Sequence, residues 1–295
     1  MSRIYSQIDA SVIVCPLTSA RLVRTGDTLV CLETGRNYEI IKGVPILFPD
    51  IDTQRAYIGE NKGDMDSEYR SMAKVGLFRK WLNRFLGADF RSEASIKAFS
   101  AVFDGLSHDA ICLSIGGGPR REHPQLININ ISNYENVDIV ADAYAIPYAS
   151  GTVDAVFCEA VLEHLEFPDK AVCEMFRVLK RGGKVYAATP FLQWYHGYPN
   201  HFQNFTLTGH ERLFKRAGFS VVESGACVGP IFAITTFNMC FLKLYMPRFV
   251  RLILGPLAIL ISLIIRPFDR IINKSPLAHV LASTTYLVAQ KPGDQ

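Results

Sequence analysis

The chain has 295 residues, 49% of them hydrophobic and 20% charged, which describes a folded globular protein and excludes an intrinsically disordered one. A net charge of +3 is too mild for nucleic-acid binding by bulk electrostatics, and seven cysteines scattered from 15 to 240 make no disulfide framework. The opening MSRIYSQIDA has no apolar run behind Arg3, so no secretory leader is expected and the cytoplasm is the default location.

Residues 1–50 read as a small β-rich unit. Short β-prone runs at 11–15, 28–31 and 38–41 are separated by the turn signals Thr25-Gly26-Asp27 and Thr34-Gly35-Arg36-Asn37. Gly43-Val44-Pro45 then leads into Ile46-Leu47-Phe48. About fifty residues bury little core, so such a unit leans on a metal or on a neighbour. Residues 51–108 read as linker and helices. Val75, Phe78, Leu82, Phe85 and Leu86 recur at helical spacing, with Arg70, Lys74, Arg79, Lys80 and Arg84 on a basic face.

From residue 109 to the end, strand-like and helix-like segments alternate. Strands are expected at 111–115, 126–130, 139–141, 155–158 and 185–189, and helices at 168–179 and 208–217. The first helix is ended by Lys180-Arg181-Gly182-Gly183, a basic last turn with glycine after it. This alternation predicts an α/β fold with a largely parallel sheet. Two late strands, at 220–223 and 285–289, are separated by a greasy insertion at about 228–280. Its longest uncharged apolar run, 252–265, has 14 residues and contains Gly255-Pro256. A bilayer span takes about 20 residues, so this run is short for one. The nearby charges are Lys243, Arg248, Arg251, Arg266, Arg270 and Lys274 against Asp269 alone. Apolar helices with a basic fringe suit an anionic membrane interface, and a buried helical cover is the other reading.

The run ICLSIGGGP carries an apolar strand into Gly116, Gly117 and Gly118, a turn that lets backbone approach a ligand closely. Asn130, ending the next strand, can donate to and accept from ribose hydroxyls. Asp142, after the third strand, can accept from an exocyclic amine; helix capping or turn formation is its ordinary use.

With DAYAIPYASGTVDAVFCEAVLEHLEFPDKAVCEMFRVLKRGGKVYAATPF, the chain resembles the class I S-adenosylmethionine-dependent methyltransferases of the type 11 group. The likeness covers about 111–223 and resumes at 285–291. It implies a Rossmann-like sheet of seven strands, S-adenosyl-L-methionine as cofactor, and methyl transfer to a small or lipid-linked acceptor. It also implies a cofactor site of Gly116, Gly117, Gly118, Asn130, Ile131, Asp142, Ala143 and Glu159. Ser114, Arg120 and Asn130 depart from the family's acidic, glycine and acidic residues at those places. The 12 residues from Gly118 to Asn130 are fewer than the ~20 of a dinucleotide fingerprint, so the first crossover helix is expected to shrink to a loop.

Residues 11–48 resemble a zinc-ribbon-like domain on Cys15-Pro16-Leu17-Thr18 and Cys31-Leu32-Glu33-Thr34. Metal-binding members have CxxC twice, and threonine at 18 and 34 makes a poor zinc site, so no metal is expected. Residues 191–206 follow the fifth strand, are rich in aromatics and carry His196 and His201, which makes them the candidate substrate wall. His196, His201 and His164 are the candidate catalytic residues, since a histidine can take a proton from an acceptor hydroxyl. The insertion is expected to form helices, divided by Gly255-Pro256 and Pro267 into pieces too short to span a bilayer. They would rest on a membrane or form a homodimer contact. The competing reading is a non-catalytic cofactor-binding, membrane-docking or partner-docking protein on a decayed methyltransferase fold.

Overall fold

The structure is a computed structural model that describes residues 11–60, 91–118, 121–133, 135–196 and 200–293. Residues 61–90, with the helical spacing expected at Val75 to Leu86 and its basic face, lie outside the described residues. At the N-terminus, β1 (Leu22–Thr25), β2 (Thr28–Cys31), β3 (Asn37–Ile41) and β4 (Val44–Leu47) pair antiparallel in sequence. Lys42 and Gly43 both have positive φ, 52° and 81°, as a two-residue type I′ hairpin turn requires. Helix α1 (Ile51–Glu60) follows.

After α2 (Glu93–Ala101) come β5 (Cys112–Ile115), β6 (Leu126–Asn130), β7 (Ile139–Ala141), β8 (Val153–Glu159), α3 (Pro168–Val178), β9 (Leu179–Pro190), α4 (Leu207–Arg216) and β10 (Ser220–Val228). The insertion contributes α5 (Pro230–Tyr245), α6 (Arg248–Ile265) and α7 (Asp269–Ile272), and β11 (Thr284–Gln290) closes the chain. The fold is α/β, with strand order β7-β6-β5-β8-β9-β11-β10 in the central sheet. Neighbours from β7 to β9 are parallel, and β11 runs antiparallel to both β9 and β10. Described residues between β5 and β6 include no helix.

The sheet has eleven strands rather than the expected seven, because β4 adds to β7 in parallel, with Ile46 opposite Val140 and Leu47 opposite Ala141. All four residues of β4 are apolar and buried, so neither face of that strand tolerates water. Pairing also covers the β7 edge, which would otherwise expose unpaired backbone groups. The N-terminal core is continuous with the main one: Cys15, Leu29 and Tyr38 belong to the same buried cluster as Leu113 and Val156. On the other sheet face, α2 packs Phe99 against Phe157 and Tyr186.

Two punctuation signals act differently from expectation. Lys180-Arg181-Gly182-Gly183 lies inside β9: Val153 pairs with Leu179 but Ala155 with Lys184, so the intervening residues bulge from the ladder. Gly182, at φ 76°, supplies the backbone that bulge needs. Gly255-Pro256 does not break α6, which runs through it for 18 residues. Glycine before the proline removes the Cβ that would crowd the pyrrolidine ring, which lessens the usual penalty. Helical backbone continues through Pro267, so Arg248–Ile272 forms one 25-residue stretch long and apolar enough to cross a membrane by length and composition. Arg266 is no part of a basic fringe either. It is buried, donating to Thr235 Oγ1 at 2.9 Å and Thr236 Oγ1 at 3.1 Å, and so ties α5 to α6. Asp269, also buried, accepts from the backbone N–H groups of Ile231 and Phe232 and caps α5.

Candidate functional site

Strand β5 ends at Ile115 and the chain turns at once through the three glycines. Gly116 sits at φ 71°, where a side chain is strained, and a Cβ there would strike the Val161 side chain. A Cβ on Gly117 would come 2.7 Å from the Asn128 side chain, whereas one on Gly118 would meet open space. That space is a cavity of about 370 Å³ at the carboxyl ends of β5 and β8, bordered by Ser114, all three glycines, Glu122, Phe157, Glu159 and Ala160. Arg91 and Phe99 close it from the α2 side, and Arg91 pairs with Glu159 at 2.8 Å.

Of the residues expected to hold a cofactor, Gly116, Gly117, Gly118 and Glu159 line this cavity together. Asn130 stands one bond behind it, donating to the Gly117 carbonyl at 3.0 Å and accepting from Ser132 N at 2.9 Å. Its amide therefore ties β6 to the glycine turn and keeps one donor hydrogen and one lone pair to spare. Ile131 is exposed, while Asp142 and Ala143 follow β7 and do not line the cavity. Asp142 Oδ1 accepts from Tyr144 N at 2.9 Å, the ordinary turn use, and burial pushes its pKa up.

The three histidines come together beyond β8 and β9, with ring centroids 5.3 Å apart for His164 and His196, 5.9 Å for His164 and His201, and 4.3 Å for His196 and His201. His164 Nδ1 lies 2.6 Å from the Asn200 carbonyl, and His196 Nδ1 lies 2.9 Å from the Trp194 carbonyl. Both rings donate through Nδ1 in these contacts, because a carbonyl only accepts. His201 spends both nitrogens: Nδ1 accepts from His196 N at 3.2 Å and Nε2 faces Asn204 Oδ1 at 2.7 Å. Burial lowers the pKa of His196. Beneath the rings lies Glu163, fully buried, its pKa pushed up to about 7 by that burial.

Arg91, Phe99, Glu122 and the buried position of Glu163 were not legible as site features. Arg91 and Phe99 sit in a stretch whose charges look like an ordinary solvated helix face. Glu163 adjoins His164, and that adjacency is the one local signal it carries.

In the N-terminal unit, Cys15 to Ser19 and Cys31 to Gly35 form two like turns, each closed by a 2.8 Å backbone hydrogen bond to the cysteine carbonyl. Thr18 Oγ1 lies 3.6 Å from Cys31 Sγ, and Cys15 Sγ lies 3.0 Å from the Tyr38 hydroxyl.

Residues 122–187 match the family described as "Methyltransferase domain". Two uncharacterized chloroplastic methyltransferases of Arabidopsis thaliana are similar, one 41% identical over 63 residues and the other 44% identical over 64. Each alignment covers 21% of this chain and 18% of the relative, so the shared segment is about a fifth of either protein. Among solved structures, a phosphoethanolamine N-methyltransferase of Haemonchus contortus aligns at 17% identity over 72% of this chain and 57% of its own, with a TM-score of 0.43. The [4+2]-cyclase SpnF aligns at 16% identity over 70% of this chain and 84% of its own, with a TM-score of 0.42.

Proposed function

We propose that this protein transfers a methyl group from S-adenosylmethionine to a lipid-linked or otherwise amphiphilic acceptor at a membrane surface. The observation that carries the reading is the cavity floored by Gly116, Gly117 and Gly118, just before the matched residues, and bordered by Glu122, Phe157 and Glu159 within them. The residues present fit the cofactor. Gly118 leaves open the space a side chain would fill, and Glu122 and Glu159 offer carboxylates to an ammonium group. Asp142 Oδ2 and the spare capacity of Asn130 remain for polar groups further along. Bound there, the sulfonium would supply a methyl group that is already activated, so the protein's contribution is chiefly positioning.

The acceptor side of the reading rests on the insertion. Trp194, from the wall after β9, lines a second recess of about 430 Å³ with Met239, Cys240, Leu242, Arg251 and Gly255 of α5 and α6. The outer face of the hairpin exposes Phe249, Leu252, Ile253, Leu260 and Ile264, each more than half accessible. Lys243, Arg248, Arg251, Arg270 and Lys274 fringe it, which matches anionic headgroups. We read the hairpin as lying on the membrane, because the buried Arg266 and Asp269 lock α5, α6 and α7 together beside the sheet.

Calorimetry with S-adenosylhomocysteine tests the cofactor half, and stoichiometric binding is expected. No binding would favour a non-catalytic protein, a second reading suggested by the Arg91–Glu159 pair across the cavity and by the internal bonds of Asn130. Co-sedimentation with anionic vesicles at low and high salt tests the membrane half, using the full chain and one whose residues 230–275 are replaced by a short turn. Equal pelleting of both would reject it and leave the hairpin as a subunit contact or a core cover.

A further inference from the structure

We propose that Glu163, His164 and His196 form a site for a divalent first-row transition ion, with Zn²⁺ as the ion to test. One ligand atom from each residue lies within 4.8 Å of the other two. Glu163 is fully buried, and among the described residues its Oε1 has no hydrogen-bond partner. His164 Nε2 is 3.8 Å from it, too far for a hydrogen bond. Its other oxygen receives a long bond from Thr189 Oγ1, 3.4 Å, and the residue's own backbone N–H also supports the carboxylate. A carboxylate withdrawn from water in this way is costly to keep ionised, so either a proton or a cation must neutralise it, and two imidazoles stand ready to share a cation with it.

The histidines are arranged for the same purpose. His164 and His196 each direct Nδ1 to a backbone carbonyl, which fixes the proton there and leaves an Nε2 lone pair available. That second bond is the usual support of a metal-ligating imidazole. His201, with both nitrogens committed, is a positioning residue that braces the backbone of His196. A first-row ion with bonds of ~2.0–2.1 Å sets its ligand atoms roughly 3.0–3.4 Å apart, so the widest separation in the cluster needs to contract by up to about 1.4–1.8 Å. His196 lies on a loop, and His164 is the last residue of a three-residue 3₁₀ turn, Leu162–His164, so the loop carries most of the adjustment.

Two imidazoles and one carboxylate suit Zn²⁺ and its neighbours, and three protein ligands leave a coordination position for an oxygen ligand. The cluster begins three residues past Ala160, which borders the glycine-floored cavity. On the methyltransferase reading, that open position would take an oxygen of the acceptor. The ion binding itself does not depend on that reading.

The test is titration of the chelator-treated full chain with Zn²⁺ and Co²⁺. One ion per chain is expected, with visible cobalt bands and no thiolate-to-cobalt charge-transfer band in the near ultraviolet. His164→Ala and His196→Ala should each weaken zinc binding by more than about tenfold, and the double variant should abolish it. Glu163→Gln should weaken it as well. Because that buried change could unfold the protein, the two histidine variants, checked by circular dichroism, decide the matter. Failure to bind zinc stoichiometrically, a thiolate band, or undiminished binding by the double variant would each overturn the proposal. Calorimetry with S-adenosylhomocysteine on the same samples separates the two ideas. Zinc without cofactor binding would keep the site and remove the methyl-transfer reading, and the converse would do the reverse.

Discussion

Gly118→Ala separates a glycine kept for its backbone from one kept for a ligand. Its φ lies outside the left-handed region and an added Cβ meets no atom of the described residues within 4 Å, so nothing among them opposes alanine. Alanine at such a position stabilises by about 0.4–1 kcal/mol through the unfolded chain, and the melting temperature should stay level or rise by about 1–4 °C. If a cofactor packs against that backbone, the methyl overfills the contact at a cost of about 1–3 kcal/mol, or roughly 5- to 150-fold in affinity. Gly116→Ala is the contrast. Left-handed alanine alone costs about 1–2 kcal/mol, and the collision with Val161 adds to it, so this variant should melt lower whether or not a ligand exists. Thermal melting and calorimetry with S-adenosylhomocysteine on both variants give the comparison. Wild-type affinity in Gly118→Ala would refute the placement of the cofactor, and a large loss of stability in it would refute the geometric argument.

Asp142→Asn keeps an oxygen for Tyr144 N but removes the charge, and should weaken S-adenosylhomocysteine binding by about 1–3 kcal/mol in calorimetry if a buried amine pairs there. His210 is fully buried beside Phe214, and desolvation holds its pKa down to about 3. Between the ordinary value near 6.5 and that lower one, the unfolded chain takes up a proton that the folded chain refuses, so stability falls as pH drops. Urea unfolding should show about 2–3 kcal/mol less stability from this residue at pH 4.5 than at 7.5, and His210→Phe should remove that part of the slope. Phe48→Ala, in the cluster with Ile46, Val137 and Val140, should cost about 3–5 kcal/mol and lower a single melting transition if the N-terminal strands fold with the main sheet. The double variant Cys15→Ser with Cys31→Ser should leave zinc content, measured by elemental analysis, unchanged, because threonines occupy the other two ribbon positions.

Strand positions were legible where apolar runs met turn residues. The segments expected at 126–130 and 139–141 coincide with β6 and β7, and the glycine turn follows β5 as its sequence implied. Pairing across the sequence was less legible. Nothing within 44–47 names its partner, and β4 joins β7 because a strand buried on both faces needs a second neighbour. The glycines after Lys180 and the Gly255-Pro256 pair mislead for a shared reason. A local breaker states what the backbone tolerates, and the surrounding sheet or helix decides whether the chain turns there.

The meeting of the cavity, the histidines and the insertion follows from strand direction. β5, β8 and β9 are parallel neighbours, so the glycine turn, the segment from Ala160 to His164 and the loop carrying His196 all leave the sheet at one edge. β11 runs antiparallel to both β9 and β10, which makes β10 parallel to β9 and delivers Val228 to that same edge. The register agrees, since Thr284 faces both Pro190 and Val228. Any insertion between β10 and β11 must therefore emerge beside the cavity and not at the opposite end of the sheet. Its apolar hairpin reaches Trp194 without a long excursion, as the Trp194–Phe237 ring contact at 6.4 Å attests. A membrane surface met by that hairpin would face the same sheet edge as the candidate cofactor and metal sites, which is the arrangement an amphiphilic acceptor requires.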